Sequence, residues 1–370
     1  MPRLLVCVNH AAPFHIGGSE KVVQQIVRSM KWNYDIDCHI LTKFTYQHKV
    51  VHEGIVIERC AQTPEEFVEQ IKSVEADYLL TYSDCFSHWT TLLREAEKIK
   101  CKQSIALVGM NDMIHDQNLK SMFFNKNHLF RVITHSNNYQ DYRYCSEKKI
   151  PVHVIPNGIN LNEFEDQKFS FRDKYSVVTP KILLCVSNFF PGKGQDHLLH
   201  VLNKVAEKNK DFTAVFICSK VSFFVANNLM QRFETMLKRH AKFRYVFLKD
   251  IPRKDTIQAF RESDIFAFPS QQEVAPLVVL EAMATKTPWV SLSVGNVPTL
   301  AGGIVIPAVK KIRDQYQYDE EMYEQFAAGV LQILTNDATA EKFGEEGYKQ
   351  IETVYNWEII QELYHKAITS

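Results

Sequence analysis

The chain has 370 residues, of which 45% are hydrophobic and 23% are charged, a balance that is typical of globular proteins. This length exceeds what a single hydrophobic core usually serves, so we expect two domains. The 43 basic and 43 acidic side chains cancel. Because nucleic-acid-binding domains usually carry a basic excess, this balance argues against nucleic acid as a partner.

The cysteines and the start of the chain indicate a cytoplasmic protein. The eight cysteines are scattered without a Cys-x-x-Cys pair, and several lie in apolar runs, as reduced buried thiols do. The sequence enters a strand pattern directly after Met-Pro-Arg, so we expect no signal peptide. Apolar runs do not reach the roughly 20 residues that span a bilayer, although peripheral membrane contact stays open.

Strand-like and helix-like patterns alternate through the first part of the chain. The predicted strands are 3–9, 36–41, 55–59, 78–82, 104–108, 130–134 and 152–155, and the predicted helices lie near 64–75, 87–99 and 136–147. A loop with Gly17 and Gly18 follows the first strand and precedes an amphipathic helix, for which Ser19 is the candidate cap. This alternation is typical of an α/β domain with a doubly wound parallel sheet.

A second series of the same kind follows the turn signals at Pro156 and Asn157-Gly158. Its predicted strands are 181–187, 212–218, 243–248, 265–268, 289–292 and 304–306, with helices between them and closing helices near 319–335, 337–354 and 357–368. We therefore predict a first domain over 1–156, a second over 157–354 and a terminal helix over 355–370. The two domains are expected to face each other across a ligand-binding cleft.

A helix start in the second domain carries two carboxylates. Glu273 lies in the loop after the strand at 265–268, and Pro276 suits the first turn of the helix that follows. Glu281 lies more than one turn inside this helix. The helix N-terminus can hold a phosphate, and carboxylates beside it can accept hydrogen bonds from sugar or ribose hydroxyls. The alternative is a buried α/β helix with two glutamates at its ends.

Two glycine loops precede other predicted helices. Lys193 is flanked by Gly192 and Gly194, so the backbone there can approach a ligand and the ammonium can reach a diphosphate. The spacing is not that of a P-loop, and a surface loop with a solvated lysine is the alternative. The loop with Gly17 and Gly18 offers N–H groups to phosphate or to a transferred sugar, or else forms a plain tight turn.

The remaining candidates are weaker. Residues 111–116, which include His115, follow the end of the strand at 104–108, where open α/β sheets place ligand-binding loops. His197 and His200 lie three residues apart on a predicted helix without a third ligand, which favours a solvated face over a metal site.

Taken together, these motifs resemble the retaining glycosyltransferases of family four, which have the GT-B fold and a Glu-seven-residues-Glu motif. Glu273 and Glu281 have that spacing, within a block that ends Leu280-Glu281-Ala-Met-Ala284. The segment 154–159 followed by Phe164, the glycine loop at 17–20, Lys193-Gly194 and the terminal segment 355–358 also match, so the resemblance covers nearly the whole chain.

The resemblance implies a hexosyltransferase that moves a sugar from a UDP- or GDP-sugar to an acceptor hydroxyl in glycan or glycoconjugate synthesis. Lys193 would bind the donor diphosphate, Glu273 the transferred sugar and Glu281 the ribose hydroxyls. Many members of the family have a histidine after the strand that corresponds to 104–108; this chain has Gly109, Asn111 and His115 there, and His115 is the candidate for the catalytic role. The predicted donor contacts are Gly17, Gly18, Asn188, Gly194, Pro276 and Leu277. It implies no cofactor and no metal, a glycan, lipid-linked or small-molecule acceptor, and a terminal helix that packs on the first domain.

The sequence also departs from the family pattern. Asn188 stands where the family usually has arginine, so one cationic phosphate contact is either missing or supplied by Lys220 or Lys249. Val274 and Ala275 stand where glycines usually follow the first glutamate. These departures keep a second hypothesis open, a non-catalytic nucleotide-sugar-binding partner of another transferase. A third is a related GT-B enzyme such as a sugar epimerase.

Overall fold

The computed structural model describes residues 1–13, 17–45, 48–82, 86–108, 117–165, 167–219, 224–307, 311–312 and 315–370. The chain forms two compact units. Unit 1 comprises Met1–Asn157 and Glu358–Ser370, and unit 2 comprises Gly158–Trp357. The chain therefore passes from one unit to the other twice, first after Asn157 and again after Trp357.

Unit 1 is built on one large sheet. Its strands are β1 (Arg3–His10), β2 (Asp37–Phe44), β3 (Lys49–His52), β4 (Ile55–Arg59), β5 (Tyr78–Tyr82), β6 (Lys102–Leu107), β7 (Phe130–Thr134) and β8 (Val152–Val154). Its helices before the first crossing are α1 (Gly18–Asn33), α2 (Pro64–Ser73), α3 (Phe86–Glu95), α4 (Gln117–Lys126) and α5 (Gln140–Glu147). The strand order is β3-β4-β2-β1-β5-β6-β7-β8, and all neighbours are parallel except the antiparallel pair β3 and β4.

Unit 2 contains a six-stranded sheet that is parallel throughout. Its strands are β9 (Lys181–Val186), β10 (Phe212–Cys218), β11 (Arg244–Lys249), β12 (Ile265–Phe268), β13 (Trp289–Leu292) and β14 (Gly303–Ile306), in the order β11-β10-β9-β12-β13-β14. Its helices are α6 (Phe171–Lys174), α7 (Gln195–Lys208), α8 (Phe224–His240), α9 (Arg253–Glu262), α10 (Leu277–Ala284), α11 (Glu320–Leu334) and α12 (Asp337–Gln350). A short antiparallel pair, β15 (Lys311–Ile312) and β16 (Gln315–Tyr316), follows β14.

The central strands of unit 2 are mostly apolar because both faces of a parallel sheet are covered. All seven residues of β10 and all four residues of β12 are buried. Trp289, at the start of β13, is fully buried, and its indole N–H donates to the carbonyl oxygen of Ala301 over 3.1 Å. A strand buried on both faces therefore appears in the sequence as a continuous apolar run rather than as an alternation.

The strand order locates the switch point of each sheet. In unit 2 the chain runs outward from β9 through β10 to β11, and then returns to place β12 on the other side of β9. In unit 1 β2 and β5 likewise flank β1. Ligands of open α/β sheets bind at the carboxyl ends of the strands at such a point. A ligand of unit 2 is therefore expected to bind at the loops after β9 and β12.

The last helix, α13 (Trp357–Thr369), belongs almost wholly to unit 1. Ser104 Oγ donates to the carbonyl oxygen of Ala367 over 3.2 Å, and the rings of Tyr34 and His365 stack with their centroids 3.9 Å apart. At the start of α13, Ile159 pairs with Asn356 as a parallel bridge. The contacts of Ala367 and His365 hold the end of the chain against unit 1, whereas the bridge at Asn356 lies within unit 2.

The predicted α/β class with two parallel-sheet domains is confirmed. Some details of the prediction were wrong. Helix α5 begins at Gln140 rather than near 136, and β3 was missed because it is a four-residue strand with partly exposed side chains. Helix α1 begins at Gly18 without a side-chain cap, so Ser19 does not cap it. In the described part of the chain, no helix is both long enough and apolar enough to cross a membrane.

Candidate active site

The loops that follow β9 and β12 are held against each other. Gly194 has a φ of +73°, and a Cβ atom placed on it would lie 2.2 Å from the carbonyl oxygen of Pro269. The N–H of Gln271 also donates to the carbonyl oxygen of Gly192 over 2.7 Å. Only glycine fits at position 194, because both the left-handed backbone and the close approach exclude a side chain.

This packing brings Lys193 and Glu273 into direct contact. The Lys193 ammonium lies 2.6 Å from Glu273 Oε1, and Ser270 Oγ donates to the same oxygen over 2.7 Å. The two charged side chains are partly exposed, 29% for Lys193 and 14% for Glu273. A cation and a carboxylate predicted for one site from sequence thus meet at the switch point of the sheet, where a ligand can reach both.

Helix α10 begins beside this pair. Pro276 occupies the N-cap position just before the helix, not the first turn, and Leu277 is the first helical residue. The helix has no side-chain cap among the described residues. Because the N–H groups of a first turn have no partner within the helix, they and the helix dipole favour an anion at this end.

The second carboxylate of the motif, Glu281, is almost wholly buried on α10, with 3% of its side chain exposed. Arg253 Nη2 donates to Glu281 Oε1 over 2.8 Å, and Arg253 Nε donates to Glu163 Oε1 over 2.7 Å. Burial lowers the pKa of Arg253, but the charges of Glu281 and Glu163 outweigh burial and raise the pKa above its ordinary value. The guanidinium is therefore a permanent positive charge between two carboxylates.

The family model described as Glycosyl transferases group 1 matches residues 166–350, half of the chain. The chain belongs to this family. The matched range contains the pair of Lys193 with Glu273 and the pair of Arg253 with Glu281. Glu163, the second partner of Arg253, lies just before it.

The relatives of this group 1 family member agree with that assignment. A probable sucrose-phosphate synthase of Thermosipho melanesiensis is 28% identical over 214 residues, which cover 57% of this chain and 46% of that protein. The chain spans about half the length of the curated relatives it matches.

Two solved structures share the fold over almost the whole chain. Sucrose-phosphate synthase from Thermosynechococcus elongatus has a TM-score of 0.79 at 17% identity and covers 99% of both chains. Anabaena Alr3699/HepE, solved in complex with UDP-glucose, has a TM-score of 0.76 at 16% identity and covers 98% of both chains. At these identities the likeness shows the fold, and it confirms the predicted GT-B class.

In this family member Asn188 supports the loop that carries Lys193. Its side-chain oxygen accepts from the N–H of Ser219 over 3.2 Å, and its carbonyl oxygen accepts from Gln195 Nε2 over 3.1 Å. Lys249, which the sequence offered as a replacement cation, lies 2.6 Å from Glu234, and Lys220 falls outside the described residues. Direct contact of Asn188 with a donor stays a prediction.

The site residues predicted in the first domain are less defined. Gly17 is the N-cap of α1 and Gly18 its first residue, so both lie at a helix N-terminus in unit 1. His115 lies outside the described residues, and its predicted role stays a prediction. Within the described ranges, no group of three or more His, Cys, Asp or Glu side chains is arranged to hold a metal ion.

Two functional candidates were missed from the sequence. Arg253 and Glu163 belong to no short motif, and 90 residues separate them in the chain. The available signal was weak: Arg253 follows Pro252 at a helix start, and Glu163 lies just before Phe164 in the segment that resembles the interdomain segment of the family. The fold brings them together around Glu281.

Proposed function

We propose that this chain is a retaining glycosyltransferase that moves a sugar from a UDP- or GDP-sugar to an acceptor hydroxyl. The observation that carries the proposal is the contact between Lys193 and Glu273 at the switch point of the sheet. It sets a cation for a diphosphate beside a carboxylate for a sugar. Glu281, one turn inside α10, supplies a second carboxylate for the ribose.

The leaving nucleoside diphosphate would be stabilised by fixed positive charge. The ammonium of Lys193 would donate to a diphosphate oxygen, and the N–H groups at Leu277 would face the same anion together with the dipole of α10. Groups that are already oriented toward developing charge lower a barrier without further reorganisation. The proposal therefore includes no metal and no cofactor.

The ion pair between Lys193 and Glu273 would change when a donor binds. A diphosphate carries more negative charge than one carboxylate and would draw the Lys193 ammonium toward itself. Glu273 would then accept hydrogen bonds from hydroxyls of the transferred sugar, while Ser270 keeps its hydrogen bond to Oε1. The ion pair thus keeps both side chains together at the carboxyl end of the sheet until a donor separates them.

Retention belongs to the proposal as well. The acceptor hydroxyl would attack the anomeric carbon from the face that the diphosphate leaves, and the departing phosphate oxygen would take the proton of the hydroxyl. His115 as a catalytic candidate, and Gly17 and Gly18 as donor contacts, also belong to the proposal. The acceptor class stays open among glycans, lipid-linked acceptors and small molecules.

The comparisons support a nucleotide-sugar donor. HepE, which shares the fold, was solved with UDP-glucose, and the relative from Thermosipho melanesiensis is described as a probable sucrose-phosphate synthase. Both are consistent with sugar transfer from an activated donor.

Thermal unfolding in the presence of UDP, GDP and their sugars tests the donor. A ligand that binds only the folded protein raises the free energy of unfolding by about 2.7 kcal/mol at a hundredfold excess over its Kd. We expect one base series to raise the unfolding temperature and the other to leave it nearly unchanged. The anomeric configuration of the product, read by NMR with the donor so identified, tests retention. If none of these nucleotides raises the unfolding temperature, the proposed assignment of the donor site is wrong.

One observation favours the second hypothesis, a non-catalytic nucleotide-sugar-binding protein. Asn188 replaces a cation that the family usually has, and Lys249 is already paired with Glu234. A site with one diphosphate cation binds a donor but stabilises the leaving group less. Calorimetry that shows tight donor binding, with neither transfer nor hydrolysis over an acceptor panel, would favour this function over catalysis.

A further inference from the structure

Arg253 is fixed at three points around its guanidinium. It is the first residue of α9, directly after Pro252. Its Nη2 donates to Glu281 over 2.8 Å, its Nε donates to Glu163 over 2.7 Å, and its terminal carbon lies 5.2 Å from the centre of the Phe164 ring. A planar guanidinium held by two carboxylates and an aromatic ring has little freedom to rotate.

The partner of Arg253 on α10, Glu281, is a buried carboxylate. Glu281 is only 3% exposed, and an ionised carboxylate is costly to bury without a paired cation. Arg253 provides that cation, and its side chain is 31% exposed, so the pair lies at the boundary between the core and solvent. Without Arg253, the carboxyl group of Glu281 would take up a proton or turn toward other donors.

A ribose diol is recognised by an acceptor in a fixed position. Each hydroxyl donates a hydrogen bond, and a charged acceptor gives a stronger bond than a neutral one. A protonated or displaced Glu281 would lose this advantage for the hydroxyls, while the diphosphate would still meet Lys193. The contribution of Arg253 should therefore depend on whether the ribose hydroxyls are present.

We propose that Arg253 is a positioning residue for ribose recognition, which sets the preference of the site for ribonucleotides by holding Glu281 ionised and oriented. The proposal rests on the proposed function, because it assigns Glu281 to the donor ribose. A purely structural role, in which Arg253 only joins the segment at Glu163 to α9 and α10, makes a different prediction. It would weaken all nucleotides alike.

Isothermal titration calorimetry on the full chain distinguishes the two roles. The probes are UDP and 2′,3′-dideoxy-UDP, or the corresponding GDP pair if the protein binds guanine. The informative quantity is the ratio of the two Kd values, dideoxynucleotide over ribonucleotide. For wild type we expect a ratio of about ten or more, as charge-assisted hydrogen bonds to two hydroxyls allow. Arg253→Met should bring this ratio close to one, and should change the affinity for the dideoxynucleotide less than about threefold.

Two further variants control the experiment. Arg253→Lys keeps the positive charge but loses the fork geometry, and should retain part of the ratio. Arg261→Met is the matched control, because Arg261 lies on the same helix but donates to the carbonyl oxygen of Phe164, over 2.9 Å. It should leave the ratio unchanged. If Arg253→Met does not fold, Glu163→Gln, which loosens the other end of the guanidinium, should lower the ratio by a smaller factor.

The outcomes separate this proposal from the one on which it rests. Wild type that binds neither nucleotide overturns both. Wild type that binds the ribonucleotide preferentially, with a ratio that Arg253→Met leaves unchanged, overturns only the role of Arg253. If Arg253→Met loses the same factor of affinity for both nucleotides, Arg253 has a structural role, and its proposed role in ribose recognition is overturned.

Discussion

The two units place polar side chains at their sheets in different ways. In unit 2 the loops after β9 and β12 bring charges together, Lys193 with Glu273, and both side chains stay partly exposed. At the carboxyl ends of β5 and β7 in unit 1, by contrast, Tyr82 and His135 are neutral rings, and both are buried. Exposed charges can be redirected to a ligand, whereas buried neutral groups hold elements together.

The neutral network of unit 1 is centred on His135. Its Nε2 lies 2.9 Å from the hydroxyl of Tyr82, and its Nδ1 lies 2.9 Å from the carbonyl oxygen of Ile155. Because a carbonyl only accepts, Nδ1 carries the proton and Nε2 accepts from Tyr82. Tyr364 of α13 places its hydroxyl 3.4 Å from Nδ1. The network thus joins the terminal helix to β5 and to the end of β8.

The largest expected effect is on catalysis in unit 2. Lys193→Ala and Glu273→Ala should each lower the rate of donor-dependent sugar transfer by about 100-fold or more, because each removes a group oriented toward transition-state charge. Lys204→Ala is the matched control, since Lys204 also pairs with carboxylates, Glu320 and Glu324, on the outer side of α7 and α11. Steady-state rates with the donor identified by thermal unfolding provide the measurement. A near-normal rate in either site variant would show that the substituted residue does not belong to the donor site.

The next effect compares the glycines of the two units. Gly194→Ala should lower the free energy of unfolding by at least about 2 kcal/mol, because φ is +73° and the new Cβ would meet the backbone of Pro269. Gly17→Ala should cost no more than about 1 kcal/mol. At Gly17 φ is −117°, and the Cβ would meet only the flexible end of the Glu20 side chain.

Urea unfolding of the two variants and wild type checks this comparison. Equal losses of stability would show that the two glycine loops impose the same constraint, and that the contact between the loops of unit 2 is not special. Because Gly194 also fixes Lys193, we expect Gly194→Ala to lower nucleotide affinity as well, even where the variant stays folded.

The sequence was sufficient for the fold class because the central strands of both sheets are buried and parallel. Runs such as 212–218 are apolar except for Thr213, and a short run of this kind between turn signals is typical of a central strand. The predicted strands 55–59, 78–82, 130–134, 212–218, 265–268 and 289–292 have the observed bounds. The short edge strand β3 was missed, since partial exposure removes the apolar signal.

The site was predictable where one loop carries its own signal. Lys193 between glycines, and Glu273 just before a helix, can be recognised locally, although their contact over 2.6 Å depends on the crossover that places β12 beside β9. Arg253 and Glu163 could not be found in this way. Tertiary packing brings them into contact around Glu281, and no spacing or composition in the sequence predicts that contact.

The smallest effect concerns the buried histidine of unit 1. Burial lowers the pKa of His135, and its hydrogen bond to Ile155 offsets burial only in part. An unfolded histidine takes up a proton near pH 6.5, whereas His135 in the folded chain stays neutral to lower pH. The stability that His135 contributes is therefore fully present above about pH 6.5, and is lost as the pH falls from there toward the folded pKa.

Urea unfolding between pH 8 and pH 5 measures this loss. Burial also lowers the pKa of His39 and His197, so the wild-type curve contains their contributions as well. The informative quantity is the difference between variants: His135→Gln should be less stable at pH 8 but should lose less stability on acidification than wild type. His128→Gln, at an exposed histidine, should follow the wild-type curve. If the stability of His135→Gln falls with pH in parallel with that of wild type, the folded protein tolerates a proton on His135, and the buried network around Tyr82 does not exclude charge.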